Sequence, residues 1–234
     1  MPEFTVSWFS AREMADCYVV IDVFRATSFI VTALAIGARA MIPAKSTREA
    51  LLLRKEGDLL AGERKTRSIR GFDMNNSPSE LFDRADAVKG RTIIHRTSAG
   101  TKVIRSLEGK NVLIGSVLNA DAVMKRIAQK SYEKVCFVCC GLEGREFALE
   151  DLYGVKCITH GSRMKPENDF ALLAGRVREE DVRICKGAGR LRANGYDNDV
   201  ELCLRKDFFD VCPSMSGGKL TLDHAQRDHP GYPL

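Results

Sequence analysis

Four short polar segments hold most of the residues in this chain that can do chemistry: Asp22-Val-Phe-Arg25-Ala-Thr27-Ser28, Gly62-Glu63-Arg64, Gly71-Phe-Asp73-Met-Asn75-Asn76-Ser77-Pro78 and Arg96-Thr97-Ser98-Ala99-Gly100-Thr101. Carboxylates, guanidinium groups and hydroxyls in this mixture suit chemistry on an anion, with a hard metal to help. Asp22 follows four apolar residues, and burying its charge is costly unless a cation or good donors compensate. Arg25 is a candidate partner, so the pair either orients the turn or serves a metal or substrate. Thr27 and Ser28 stand at a helix start, where hydroxyls and free backbone N–H groups hold phosphate oxygens or simply cap the helix. Glu63 and Arg64 reach the same place or form a surface ion pair. Asp73, Asn75 and Asn76 offer the oxygen donors that Mg²⁺ prefers, or an Asx-rich turn. Residues 97–101 have the small, hydroxyl-rich composition of a phosphate cradle. Further on, Glu150-Asp151 is either an acid/base pair or two first-turn acids offsetting a helix dipole.

Each segment must be held by an element that ends where it begins. Residues 18–23 are apolar and branched, which predicts a strand, and 28–36 continue as an apolar helix stopped by Gly37. Residues 40–43 read as a strand, and Ser46-Thr-Arg-Glu49 is a capping box opening a helix to residue 56. A short strand over 59–61 delivers Glu63. Ser77-Pro78-Ser79-Glu80 is a second capping box, predicting a helix whose N-terminus is an anion seat. Strands follow at 92–95, 111–115 and 134–140, with helices running to 107 and, capped by Asn119, to 129. The pattern weakens afterwards to helices near 169–177 and 199–204, a strand about 219–221 and a polar tail. The alternation predicts an α/β fold, a three-layer α/β/α sandwich on a parallel or mixed sheet, as a single domain over 1–222 with a C-terminal tail over 223–234. In such sheets ligands bind at the carboxyl ends of the strands, so the polar segments are expected to share one site.

Composition narrows the function classes. The chain has 234 residues, 44% hydrophobic and 29% charged, enough for a sizeable core in one domain. Residues 19–36 come nearest to a membrane span, but Asp22 and Arg25 interrupt them. Residues 1–16 contain acids and lack a basic start with an apolar block, so no secretory signal is read there and a cytoplasmic location is expected. The formal charge of +5 is modest and scattered, which argues against nucleic acid and suits an anionic small molecule. Eight cysteines, several inside apolar runs, fit reduced core thiols. Cys136 and Cys139 have a zinc-like spacing but no second pair, and their alternation with Phe137 favours a strand. A homodimer is the default expectation for assembly.

Taken together, the segments resemble the 2-phosphosulfolactate phosphatase family. The resemblance lies in Val20-Ile-Asp22-Val-Phe-Arg25-Ala-Thr27-Ser28, Gly62-Glu63-Arg64, Gly71-Phe-Asp73 with Asn76-Ser77-Pro78, the 97–101 loop, Asn119-Ala120 and Glu150-Asp151, in family order over about residues 18–222. It implies an α/β/α, Mg²⁺-dependent phosphatase acting on a small phosphorylated sulfo acid, a step towards coenzyme M in methane-forming organisms. Where many members have Thr-Asn-Gly-Thr this chain has Ser98-Ala99-Gly100-Thr101, and Met74-Asn75 replaces a Phe-Gly-like pair.

The expected reaction is metal-assisted hydrolysis of a phosphate monoester. Asp22, Glu63 and Asp73 are the candidates to hold Mg²⁺, and Arg25 and Arg64 to pair with phosphate or sulfonate oxygens. Thr27, Ser28, Asn76, Ser77, Thr97, Ser98, Gly100, Thr101 and Asn119 are the remaining candidate substrate contacts, and Asp151 the candidate acid or base. Two rivals stand beside this. Cys139-Cys-Gly-Leu-Glu-Gly-Arg145 matches the Cys-x5-Arg loop of cysteine phosphatases, although Glu143 places a carboxylate in a loop meant for a dianion and Glu146 stands where a Ser or Thr activates the leaving thiolate. The other is a non-catalytic phosphate-ester binding protein, which the Ala99 departure allows.

Overall fold

The computed structural model describes residues 1–223, so the expected tail, Asp223 apart, lies outside the described residues. Along the chain run β1 (Glu3–Trp8), β2 (Cys17–Ile21), α1 (Ala26–Ala35), β3 (Ala40–Pro43), α2 (Thr47–Leu53), β4 (Leu59–Arg64), β5 (Arg67–Ser68), α3 (Ala85–Val88), β6 (Thr92–Arg96), α4 (Gly100–Ser106), β7 (Val112–Gly115) and α5 (Ala120–Gln129). They continue as β8 (Lys134–Cys139), α6 (Leu149–Thr159), β9 (Lys165–Pro166), α7 (Asp169–Ala174), α8 (Glu179–Arg183), α9 (Lys186–Arg192), α10 (Asp197–Cys203), β10 (Ser214–Ser216) and β11 (Lys219–Thr221).

All eleven strands form one mixed sheet in the order β5-β4-β6-β3-β11-β10-β7-β2-β8-β1-β9. Two parallel blocks, β4-β6-β3 and β7-β2-β8-β1, are joined through the antiparallel hairpin β10-β11, which pairs β7 on one side and β3 on the other. Both faces are covered, as parallel strands require. Cys17, Val19 and Ile21 of β2 pack into one core with residues of α5, α6 and α9, while Tyr18 and Val20 pack into the other with residues of α1 and α4. β8 alternates in the same way, Val135, Phe137 and Cys139 against Cys136 and Val138. The expected single-domain α/β fold on a mixed sheet is the observed one.

Differences are local. The helix expected at Ser77 does not form: the chain turns through 78–81 and only then makes a 3₁₀ turn at Phe82–Arg84 and the one-turn α3. Ser77 Oγ does accept from Glu80 N at 3.4 Å, but Ser77 Oγ, Ser79 N and Ser79 Oγ all donate to Asp199 Oδ1 at 2.8, 3.0 and 2.6 Å, directing the turn towards that carboxylate. The helix at Ser46 is capped as expected, with Ser46 Oγ accepting from Glu49 N, and ends at Leu53 rather than residue 56. Strands β1 and β10 and helices α8 and α9 were not expected. Among the described residues no helix is long and apolar enough to cross a membrane.

Candidate active site

The site is built from the turn between β2 and α1. Thr27 Oγ1 accepts from Asp22 N at 3.1 Å and donates to Asp22 O at 2.9 Å, and Ser28 Oγ donates to Val23 O at 2.8 Å and lies 2.7 Å from Ser116 Oγ. Both hydroxyls are fully buried and bond residues 22 and 23, so they lock the turn, and they neither cap the helix nor line the cleft. The locked turn presents Asp22, whose Oδ1 accepts from Ala26 N at 3.2 Å. The N–H of Gly100 also bonds this carboxylate. The approach is so close that a Cβ at Gly100 would lie 2.7 Å from Asp22 Oδ2 and from Ala26 Cβ. Glycine is the residue that admits it.

Asp22 lines a cleft together with Arg25, Glu63, Asn76, Thr97, Ser98, Glu150, Asp151 and Arg190, among others. The cleft holds about 60 Å³, room for about four to six waters at 10–15 Å³ each, or a group of phosphoryl size. Glu63, at the end of β4, accepts from Ser98 N at 2.7 Å, Ser98 Oγ at 3.2 Å and Thr66 N at 2.7 Å. Asp151, in the first turn of α6, accepts from Val23 N at 3.0 Å and Gly141 N at 2.9 Å. Glu150 accepts from the Cys185 thiol at 3.2 Å, with its carboxylate against Gly187. Thr97 and Thr101 exchange hydroxyl and backbone N–H bonds at 3.1 Å, fixing the loop between β6 and α4. Asn76 Oδ1 lies 2.8 Å from Nε2 of His95, a buried histidine stacked on Phe29. Burial lowers the His95 pKa to about 3, so the ring is neutral and its Nε2–H donates to Asn76.

Four carboxylates therefore face one confined space. Burial pushes Asp22 up to about 7, and the charges of Glu63 and Glu150 add to that, against the lowering effect of the Ala26 and Gly100 N–H bonds. Burial, then Asp22 and Glu150, push Asp151 well above the carboxylate range, and burial raises Glu150 also. Such a site favours protons or a cation.

Arg25 is the buried positive charge beside them. Its expected partner Asp22 is not the one it takes: Nη1 donates to Asp199 Oδ2 at 2.6 Å, its guanidinium carbon sits 4.1 Å from the centre of the Tyr196 ring, and Nη2 has no partner. The other half of the hub comes from α10, far along the chain.

Several expected residues lie elsewhere. Asp73 does not line the cleft: its Oδ2 accepts from Leu60 N at 2.7 Å, and Arg54 bonds both oxygens at 3.1 and 3.2 Å. Ser77 is turned to Asp199. Asn119 is buried under β7 and uses its amide on Ser116 N, Ile114 O and Val211 O, so it braces the backbone. Arg64 lies at the mouth, outside the inner cleft. The cysteine route fails on geometry, since Cys139 is wholly buried in the core, with burial and then Asp151 raising its thiol well above normal, while Arg145 is exposed. A thiol held protonated beside a carboxylate is a poor nucleophile. Reading the sequence missed Asp199, Tyr196, His95, Lys65 and Arg190. Asp199 alone was visible, as an acid opening a helical pattern.

The donor set suits a hard cation in kind: all oxygen, strongly negative and partly starved of water. Among the described residues no three His, Cys, Asp or Glu side chains form a ready-made ligand cluster. Mg²⁺ does not need one, because it keeps several waters and takes one or two protein carboxylates plus phosphate oxygens.

By family, this α/β chain is a phosphoric monoester hydrolase. Residues 4–218 match the model of the 2-phosphosulpholactate phosphatase family, and the chain belongs to that family. It is 39% identical over 211 residues to proteins of Thermotoga petrophila and Thermotoga maritima, covering 87% of this chain and 91% of each of theirs. A protein of Caldanaerobacter subterraneus is 36% identical over 217 residues, covering 86% of this chain and 88% of its own. All three carry the name probable 2-phosphosulfolactate phosphatase.

Proposed function

We propose that this protein is a Mg²⁺-dependent phosphatase that removes phosphate from a small phosphorylated sulfo or hydroxy acid, 2-phosphosulfolactate being the leading candidate. The observation that carries this reading is the meeting of Asp22, Glu63, Glu150 and Asp151 with Arg25 in one phosphoryl-sized cleft. The relatives' names support the substrate class.

One or two of the cleft carboxylates Asp22, Glu63 and Glu150 would hold Mg²⁺, with waters and phosphate oxygens completing its shell; Asp73 has no part in the proposal. Bound there, Mg²⁺ would supply Lewis-acid polarisation of the phosphoryl group and a more acidic water. Arg25, fixed by Asp199 and Tyr196, turns its free Nη2 to a phosphoryl oxygen and offsets charge that grows as the ester bond breaks. Because Arg25 is held before substrate arrives, little reorganisation is needed at the moment of reaction. Asp151 keeps a proton by burial and gives it to the departing ester oxygen, the task a carboxyl of raised pKa performs at neutral pH. Ser98 and Thr66 hold Glu63 in place. Phosphate release from 2-phosphosulfolactate and a panel of phosphorylated hydroxy acids, with Mg²⁺ and with EDTA, tests the reading. Release that EDTA abolishes supports it, release that persists in EDTA rejects the metal, and binding without release points to the non-catalytic alternative.

A further inference from the structure

The inner cleft is acidic, but its mouth is not. Arg64, Lys65, Thr66, Arg67, Arg190 and Asn194 line an open hollow of about 560 Å³, and Lys65, Thr66 and Arg190 also line the cleft, so the two spaces are continuous. Arg64 and Arg67 stand directly opposite each other across the β4–β5 hairpin, an arrangement that destabilises a strand pair when the charges are alike. Arg64 also bears on Arg96, whose pKa is lowered by burial first and then, with Glu63 opposing, by that like charge. Among the described residues, Arg190 is the one cation of the hollow with a carboxylate partner, Glu143 at 2.6 Å, while Arg64, Lys65 and Arg67 form no ion pair.

The backbone that presents these cations is also strained. Lys65 and Thr66 both have positive φ, 53° and 70°. A two-residue hairpin of that kind ordinarily takes Asn-Gly, and a β-branched residue there is an outlier. Thr66 N donates to Oε2 of Glu63 at 2.7 Å, so a carboxylate of the cleft holds the strained turn at the mouth. Clustered like charges without counter-charges suit an anion.

We propose that this hollow binds the second acidic group of the substrate, a sulfonate or carboxylate, with Arg64 and Arg67 as its principal cations. The proposal deepens the phosphatase reading and rests on it for the occupant of the inner cleft. That cleft has room for a phosphoryl group and little more, so the remainder of the molecule must extend into the hollow. The hollow thereby selects phosphorylated acids over esters of neutral alcohols.

Sulfoacetate, which carries a carboxylate and a sulfonate but no phosphate, probes the hollow without turnover. Titration calorimetry on the full chain is expected to show binding that weakens with added salt. Affinity should fall about tenfold in Arg67→Gln and again in Arg64→Gln/Arg67→Gln, the loss of a charge-assisted bond each time. Absence of binding by the wild type, or equal binding by the variants, overturns the proposal. Both side chains are exposed, and thermal melting checks that each variant folds; if Arg67→Gln melts early, Arg64→Gln alone supplies the comparison. Phosphate release is the separate arm. Variants that bind sulfoacetate weakly while the wild type releases no phosphate from any ester leave the site standing and remove the phosphatase reading. Release from diacid and neutral esters in an unchanged ratio across the variants does the reverse.

Discussion

Arg25 and Asp199, separated by 174 positions in the chain, meet at 2.6 Å with side-chain exposures of 2% and 0%. Asp199 also receives Ser77 and Ser79 on its other oxygen, so one carboxylate ties β2–α1, the turn after β5 and α10 together. Removing its charge strands a buried guanidinium, which costs about 3–5 kcal/mol. Asp199→Asn is therefore expected to unfold at clearly lower urea than wild type, and to lose kcat more than KM as Arg25 drifts. A variant with the wild-type midpoint and kcat contradicts the role.

Stability should depend on pH in a direction set by the buried acids. Asp22 has a folded pKa of about 7 against an ordinary value of 3.8, so between these pH values the folded chain holds the extra proton and stability falls as pH rises. Asp151 and Glu150 act in the same direction. His95, neutral down to about pH 3, works the other way, losing stability as pH falls below its unfolded value of 6.5. Three raised acids outweigh one lowered base. The metal-free chain should melt higher at pH 5 than at pH 8, and Mg²⁺ should restore the loss at pH 8, because a ligand of the folded state alone stabilises it. Melting curves at the two pH values, with EDTA and with Mg²⁺, check both statements.

Much of this was legible in the sequence because it is local. Asp22, Glu63, Thr97 and Ser98 each follow an apolar strand by a residue or two, and strand ends gather in an α/β sheet whatever the connections. What escaped depends on distant contacts. Nothing near Arg25 says that its partner lies on α10, and nothing near Asp73 says that Arg54 and Leu60 N will take both its oxygens. Ser77 carries a good capping pattern, yet Asp199 competes for its hydroxyl. Strand β1 did carry a signal, the alternation of Phe4, Val6 and Trp8, which all face the core.

Gly100 is a position of close approach. In Gly100→Ala the new methyl meets Asp22 Oδ2 and Ala26 Cβ at 2.7 Å, and overpacking of this kind costs about 1–3 kcal/mol. Because Asp22 must move, activity should fall by at least about tenfold while the chain still folds. Steady-state rates beside a denaturation curve separate the two effects.

Cys139→Ala should keep turnover per folded molecule, with a modest loss of stability from the small core cavity. Thiol reagents applied to a Cys185→Ala chain should leave its rate unchanged, since Cys139 and Cys140 are wholly buried while Cys185, the partly exposed thiol, bonds Glu150. Inactivation by either change would revive the thiolate mechanism.

The central claim is that ester hydrolysis takes place in the carboxylate-lined cleft, and the rate of phosphate release by Asp22→Asn beside wild type, with 2-phosphosulfolactate and saturating Mg²⁺, tests it most directly. Asparagine keeps the size of Asp22 and removes its buried charge but leaves one acceptor oxygen for the Ala26 and Gly100 N–H groups, so a denaturation curve beside the rate checks that the variant is folded. The account predicts measurable wild-type release and a fall in kcat of at least about a hundredfold in the variant. A variant that releases phosphate as fast as wild type would place the chemistry elsewhere.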